Sequence, residues 1–211
     1  MTLQDQMFLA TAMPDKDWWH ALWPDPDGVV SALRIEPAMT VVDLGCGDGY
    51  FTAAIARQVR SGQAIGFDLD PAMLEQARAT CKGMSNCAWQ LGDAMELGRL
   101  IAAPIEYVLI ANTFHGVPDK TALAREVVAV LKPAGRFAIV NWYPLPREET
   151  IVLGQPRGPR TELRMSPERV RSAVEPAGFR LETVVELPPF HYGAIFRKLQ
   201  AAEKSTEIER G

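Results

Sequence analysis

No uninterrupted apolar run in this 211-residue chain approaches the length of a membrane span, so no transmembrane helix is expected. The stretch from Met1 to Met13 lacks the basic start and long apolar core of a secretory signal, and a cytoplasmic protein is the simplest expectation. Excess positive charge is missing too. The formal net charge of −4 gives no broad basic field, which argues against nucleic acid as a partner. Cysteine is limited to three, an odd number, with no C-x-x-C spacing. A disulfide framework and a cysteine-based metal site are therefore not expected. Cys81 and Cys87 flank a short connection, and two readings stand: buried or edge thiols, the plainer one, and a thiol pair acting on a thiophilic substrate such as arsenic. Internal repeats and low-complexity tracts are absent. With 47% hydrophobic residues, the length fits one ordinary globular domain with a sizeable core.

What is present is organised around Val41-Val42-Asp43-Leu44-Gly45-Cys46-Gly47-Asp48-Gly49-Tyr50-Phe51-Thr52. An apolar, β-branched run ends at an acid, glycine follows at alternate positions, and a helical run begins. This reads as strand, tight turn and helix start. Glycine suits the turn because it accepts positive φ and lets a ligand approach the backbone. The helix start offers unpaired N–H groups to an anionic ligand group. A dinucleotide fingerprint needs G-x-G-x-x-G, and Tyr50 stands where its third glycine belongs.

Elsewhere strands and helices alternate. Strands are expected at 40–44, 63–68, 87–91, 105–111 and 136–142, with helices at about 49–60, 71–81 and 119–131 between them. Such alternation implies a parallel sheet with right-handed crossovers. After a helix from Pro167 to about Ala177, strands at 179–187 and 192–199 are joined by Pro188-Pro189-Phe190-His191 and should pair antiparallel. Residues 1–36 read as an N-terminal helical cap. In it Trp18, Trp19, Leu22 and Trp23 follow helical spacing, Pro24 and Pro26 stop the first helix, and Asp27 caps a second. The cap either packs on the sheet or serves as a lid. Residues 37–200 form the main domain, and 201–211 a polar, flexible tail.

Asp-x-Gly-x-Gly-x-Gly, carried by Asp43, Gly45, Gly47 and Gly49, resembles the first motif of the Rossmann-like, class I S-adenosylmethionine-dependent methyltransferases. The resemblance covers about residues 38–142. The stretch Leu131–Arg136 is similar to a helix–turn–strand segment common in this family, and Asn112–Asp119 to the small-molecule, quinone-biosynthesis-like branch. It implies an α/β three-layer sandwich: a seven-stranded, mostly parallel sheet in the order 3-2-1-4-5-7-6, last strand antiparallel, plus the N-terminal cap. It also implies S-adenosylmethionine as cofactor, bound where the strand order reverses. In that reading Gly45, Gly47 and Gly49 admit the methionine part and Asp43 faces its ammonium. Asp68 takes the ribose hydroxyls, with Leu69 packed on adenine. Asp93 and the Ala94 N–H serve the adenine edge, and Asn112 lies by the sulfonium. Asp48 is expected to face solvent, and Asp70 to cap the helix opened by Pro71.

The implied reaction is in-line methyl transfer, with a small-molecule acceptor and a monomer or homodimer. Two other readings stay open: a non-catalytic cofactor-binding regulatory domain, and a methyltransferase acting on protein. The only histidines are His20, His115 and His191. Strand polarity places at least two near the site mouth. His115 and His191 are candidates for a general base or for orienting substrate. Ordinary polar contacts and a three-histidine metal site are the alternatives, and no metal is expected. Trp19, His20, Trp142 and Tyr143 are candidate walls for a methyl acceptor. The long connection 143–165 carries Arg147, Arg157, Arg160 and Arg164. Arg157 and Arg160 are candidates for binding an anionic substrate group, and a solvated charged loop is the alternative.

Overall fold

The computed structural model describes residues 14–101 and 104–200. The tail expected over 201–211 lies outside the described residues. Helix α1 (Lys16–Leu22) turns Trp18, Trp19 and Leu22 inward. Helix α2 (Pro26–Ala32) begins on Asp25, whose carboxylate accepts the Gly28 N–H at 2.9 Å, with Pro26 in the first turn. The cap is therefore Asp25 and not Asp27, and Pro26 opens a helix where it was expected to close one. Asp27 points outward and pairs with Arg57 at 2.8 Å.

The chain then alternates through β1 (Thr40–Leu44), α3 (Tyr50–Gln58), β2 (Gln63–Asp68), α4 (Pro71–Thr80), β3 (Cys87–Leu91), α5 (Leu97–Leu100), β4 (Ile105–Ala111), α6 (Lys120–Val130) and β5 (Leu131–Trp142). The connection after β5 is not the plain loop expected. It holds a short hairpin of β6 (Ile151–Val152) and β7 (Gln155–Pro156), flanked by single 3₁₀ turns. Helix α7 (Pro167–Val174) follows, capped by Ser166, and β8 (Phe179–Leu187) and β9 (His191–Lys198) complete the chain.

The main sheet runs β3-β2-β1-β4-β5-β9-β8. Leaving the small hairpin uncounted, this is the implied order 3-2-1-4-5-7-6. β1 to β5 pair in parallel, and β9 lies antiparallel to both β5 and β8. One face packs on α5, α6 and α7 through Val42, Val108, Ile110, Leu123, Val127 and Val170. The other buries α1, α2 and α3 with Trp23, Leu33, Phe51, Ile55, Leu109 and Ile195. Strands covered on both faces explain why β4 reads as a nearly continuous apolar run. Its two polar residues both have partners. The Tyr107 hydroxyl donates to the Leu33 carbonyl at 2.6 Å, and Glu106 takes the Thr40 N–H and pairs with Lys132. Among the described residues no helix is long and apolar enough to cross a membrane.

Candidate functional site

The site is built from the turn after β1. Gly45, Gly47 and Gly49 hold φ of +74°, +54° and +84°, a region that side chains strain to enter. The N–H groups of Gly45 and Cys46 both donate to the Phe67 carbonyl, at 2.8 and 3.0 Å, which ties the turn to β2. Asp68 fastens it from below: Oδ2 accepts the Gly47 N–H at 2.8 Å and Oδ1 accepts the Asp70 N–H at 2.9 Å. Asp70 caps α4 by accepting from Ala72 N–H. Gly49 departs from its expected role. It does not line the cavity, and a Cβ there would stand 2.9 Å from the Ala77 Cα, so it lets α3 start against α4. Asp48, expected in solvent, is buried at 5% exposure and lines the cavity. A carboxylate two residues before a helix residue can bend back onto its backbone, and Asp48 accepts the Tyr50 N–H at 3.3 Å.

A cavity of about 890 Å³ opens beyond the carboxyl ends of β1, β2, β3 and β4. It brings together Asp43, Gly45, Gly47, Asp68, Leu69, Asp93, Ala94 and Asn112 from the expected cofactor set. Asp43 is almost wholly buried and accepts the Thr52 hydroxyl at 2.5 Å. Burial pushes its carboxyl up to about 7. The Thr52 hydrogen bond opposes this, and the nearby Asp68 charge adds to it. Asp93 accepts the Met95 N–H at 2.9 Å, which fixes the turn after β3. Asn112 sits at φ +62°, a conformation asparagine tolerates better than most residues, with its N–H donated to the Val140 carbonyl. Both polar atoms of its side chain, and the neighbouring Thr113 hydroxyl, are buried without a partner. Such groups cost free energy unless something satisfies them.

The opposite wall is aromatic and basic. Trp18, Trp19, Phe51 and Trp142 face the cavity together with Arg147, Arg157 and Gly158. Trp18 and Arg147 were not among the expected wall residues; spacing puts Trp18 on the inner face of the cap helix but leaves open whether it packs or covers the site. His115 also lines the cavity, and separates it from a shallower surface depression bordered by Lys120, Glu168 and Arg169. Burial lowers its imidazole to about 4, with the Lys120 charge adding to the effect and Asn141 opposing it. Neither ring nitrogen of His115 makes a well-formed hydrogen bond, although the Asn141 side chain is close enough to favour its charged form.

Five expected site residues lie elsewhere. Tyr143 follows Trp142 in an extended strand end, where successive side chains take opposite faces, and its ring packs on Tyr192 at 5.0 Å. His191 is paired with Trp142 across the sheet, so it stands behind that ring, walled between Trp142 (4.1 Å) and Trp23 (4.3 Å). His20 is exposed on the outer face of α1, stacked on Tyr50 at 5.0 Å. Arg160 is exposed, and Gly49 packs on α4 as described. The histidines therefore do not converge at the mouth, and no cluster of metal-ligating side chains occurs among the described residues.

Arg164 was read as one more loop arginine, yet it is 1% exposed. Its guanidinium donates to the carbonyls of Pro159, Leu145 and Arg157 and to the Thr150 hydroxyl, and lies 4.9 Å from the Trp142 ring centre. It thus gathers the connection after β5 into a strap that carries Arg147 and Arg157 to the cavity. The cysteines are buried or half-buried, with thiols raised chiefly by burial, Cys81 to about 12. That is the behaviour of packing thiols.

The comparisons agree with this architecture. The 2-phytyl-1,4-naphtoquinone methyltransferase of Synechococcus elongatus is 34% identical over 132 residues, 59% of this chain and 54% of that protein. The demethylmenaquinone methyltransferase of Staphylococcus carnosus is 31% identical over 117 residues, 55% of this chain and 47% of that one. The chain thus spans about half the length of the curated relatives it matches. A solved SAM-dependent methyltransferase from Aquifex aeolicus superposes with a TM-score of 0.74 at 23% identity, covering 88% of this chain and 94% of the other, a likeness of fold. The family model described as "Methyltransferase domain" matches residues 35–170, which is more than half of the sequence and includes the glycine turn and all of β1 to β5, so the chain belongs to that methyltransferase family.

Proposed function

We propose that this chain transfers a methyl group from S-adenosylmethionine to a small organic acceptor. The observation that carries the reading is a set of buried polar groups at one edge of the cavity, the Asn112 and Thr113 side chains without a partner and Asp43 with the Thr52 hydroxyl. The Asn112 amide, the Thr113 hydroxyl and the buried Asp43 carboxyl all lie beside a turn whose backbone is open to a ligand. These groups fit the cofactor's chemistry. An ammonium would favour the ionised form of Asp43, which burial alone disfavours. Asn112 has a donor and an acceptor free for the amino-acid end. Asp68 keeps unused lone pairs on both oxygens for the ribose hydroxyls, after accepting from Gly47 and Asp70. Leu69 provides an apolar face for adenine, and Asp93 with the Ala94 N–H offers the acceptor and donor that its edge requires.

When bound, the cofactor supplies an electrophilic methyl on a cationic sulfur. What remains for the protein is to hold the acceptor in line and exclude water, and positioning of this kind contributes much of the rate. Trp18, Trp19, Phe51 and Trp142 give the cavity an apolar, aromatic side suited to an aromatic acceptor. Quinone acceptors appear in the names of the two relatives above, which supports an aromatic acceptor here. His115, kept neutral by burial, can accept a hydrogen bond from a hydroxyl on such an acceptor and orient it.

The direct test is titration calorimetry with S-adenosylhomocysteine, followed by transfer of labelled methyl from the cofactor to extracted small molecules. Binding in the micromolar range with label in a small-molecule product is expected. A folded protein that ignores S-adenosylhomocysteine at millimolar concentration would overturn the reading. Binding without transfer to any acceptor would instead favour a regulatory domain.

A further inference from the structure

The polar groups lining the cavity are sorted by charge. Asp43, Asp48, Asp68, Asp70 and Asp93 all lie at the carboxyl ends of β1 and β2 or in the loops after β1, β2 and β3, where a cationic cofactor would be held. Asp15, just before α1, is the remaining acid on the lining, and it forms no ion pair with a described residue. The opposite side carries Lys16, Arg147 and Arg157, and none of them is paired with a carboxylate among the described residues.

Arg157 is held in place with care for a residue in a connection. Its N–H donates to the Thr150 carbonyl at 2.9 Å, and its own carbonyl accepts from the Thr150 hydroxyl at 2.8 Å and from Arg164 at 3.1 Å. Its guanidinium carbon lies 5.2 Å from the Trp18 ring centre, while its Nε is buried and unpartnered. Arg147 is anchored by its Nε to the Gly158 carbonyl at 3.1 Å and by its N–H to the Thr161 hydroxyl at 3.0 Å. Trp19 on the same wall has a buried indole N–H that is also unpartnered. Both Arg157 Nε and the Trp19 indole nitrogen are donors only. A guanidinium against an aromatic ring, lacking a carboxylate and holding an unmade hydrogen bond, lacks the partner that normally offsets its desolvation.

We infer that the methyl acceptor is a flat organic acid, its ring between the tryptophans of the cavity and its carboxylate on Arg157, with Arg147 in support. The inference rests on the methyltransferase reading and names its substrate class. It differs from a neutral quinone, for which the two arginines would offer no matching charge. Planar, forked donation to a carboxylate is what arginine supplies and lysine does not.

The test uses the full chain saturated with S-adenosylhomocysteine, titrated with naphthoate and with its neutral analogue naphthamide, followed by tryptophan fluorescence and calorimetry. Naphthoate should bind at least about tenfold tighter than naphthamide, and its affinity should fall as salt rises. In Arg157→Gln the two probes should bind within about twofold of each other, and Arg157→Lys should recover only part of the difference. Equal affinities for the wild-type chain, or no binding of naphthoate at millimolar concentration, would overturn the inference. So would a preference for naphthoate that survives intact in both Arg157→Gln and Arg147→Gln. S-adenosylhomocysteine affinity separates the two readings. If it is lost in the wild type, the methyltransferase reading fails. If it is kept while the probes are not distinguished, only the acceptor class fails. The wild-type comparison stands even where a variant does not fold.

Discussion

At the scale of single residues the site is defined by side chains whose surroundings oppose their natural state. Asp43 is the clearest case. Its folded-state carboxyl is raised from 3.8 to about 7, first by burial, so the fold without cofactor prefers it protonated. Its contribution to stability is therefore fully present below about pH 4 and is lost as pH rises through 7. Above that point the ionised group costs on the order of 4 kcal/mol as an upper bound. An ammonium beside it reverses the sign. Asp43→Asn should therefore raise the melting temperature of the cofactor-free protein above pH 7 and leave it unchanged below about pH 4. Wild-type affinity for S-adenosylhomocysteine should strengthen as pH rises through 7, and the variant should bind more weakly with a flat profile. Parallel pH profiles for the two proteins would show that Asp43 does not meet the cofactor's charge. The sequence puts Asp43 at the end of β1, where the structure has it, because an acid ending an apolar strand before alternating glycines can hardly sit elsewhere. It misplaced Asp48 and His191, because neighbours on other elements bury them. Nothing local to Asp48 signals burial, and His191 is hidden only by its cross-strand partner Trp142.

At the scale of elements, β1 to β5 and the helices α3, α4 and α6 were legible, since each combines a periodic apolar pattern with a turn or cap signal, whereas the four-residue α5 and the start of β5 at Leu131 were not. The strap between β5 and α7 was not legible. Its order comes from Arg164, whose hydrogen bonds reach Leu145, Thr150, Arg157 and Pro159, a set that no spacing rule in the sequence announces. It also depends on Gly158, at φ +87°, where a Cβ would come within 2.7 Å of the Trp142 ring. The strap can lie flat on Trp142 only because that position has no side chain. Gly158→Ala should therefore lift the strap or turn the ring, and with it move Arg147, whose Nε is anchored on the Gly158 carbonyl. The expected cost is about 1–3 kcal/mol in stability from strain and overpacking. The more telling effect is on binding: naphthoate affinity should fall by about tenfold or more while S-adenosylhomocysteine affinity changes by less than about twofold. Equal losses for both ligands would mean that the strap supports the whole cavity and not the acceptor wall alone.

At the scale of the whole molecule, the open question from the sequence was whether the tryptophan-rich cap is packing or lid. The geometry gives it both kinds of contact. Trp18 and Trp19 line the cavity, while Leu22, Trp23, Val30 and Leu33 join α3, β4 and β9 in one continuous apolar cluster. Periodicity could place these rings on one helix face, but could not say which would meet the sheet and which the ligand. Trp23 is the keystone of that joint. It is 1% exposed, lies 5.4 Å from Phe51 and 4.3 Å from His191 between ring centres, and its carbonyl accepts the Tyr50 hydroxyl. Removing its ring opens a cavity shared by cap and sheet, so Trp23→Ala should cost about 3–5 kcal/mol. For a domain of this size that corresponds to a fall of about 10 °C in melting temperature. Because the cluster is shared, the loss should appear as a single transition, with tryptophan fluorescence, which Trp18 and Trp19 of the cap then share with Trp89 and Trp142, and far-ultraviolet circular dichroism, weighted towards the sheet and helices, changing together. A fluorescence transition that precedes the dichroism by several degrees would show that the cap opens alone. In that case its hold on Trp18 and Trp19 would be a gating equilibrium, and binding of S-adenosylhomocysteine would raise the later transition more than the earlier one.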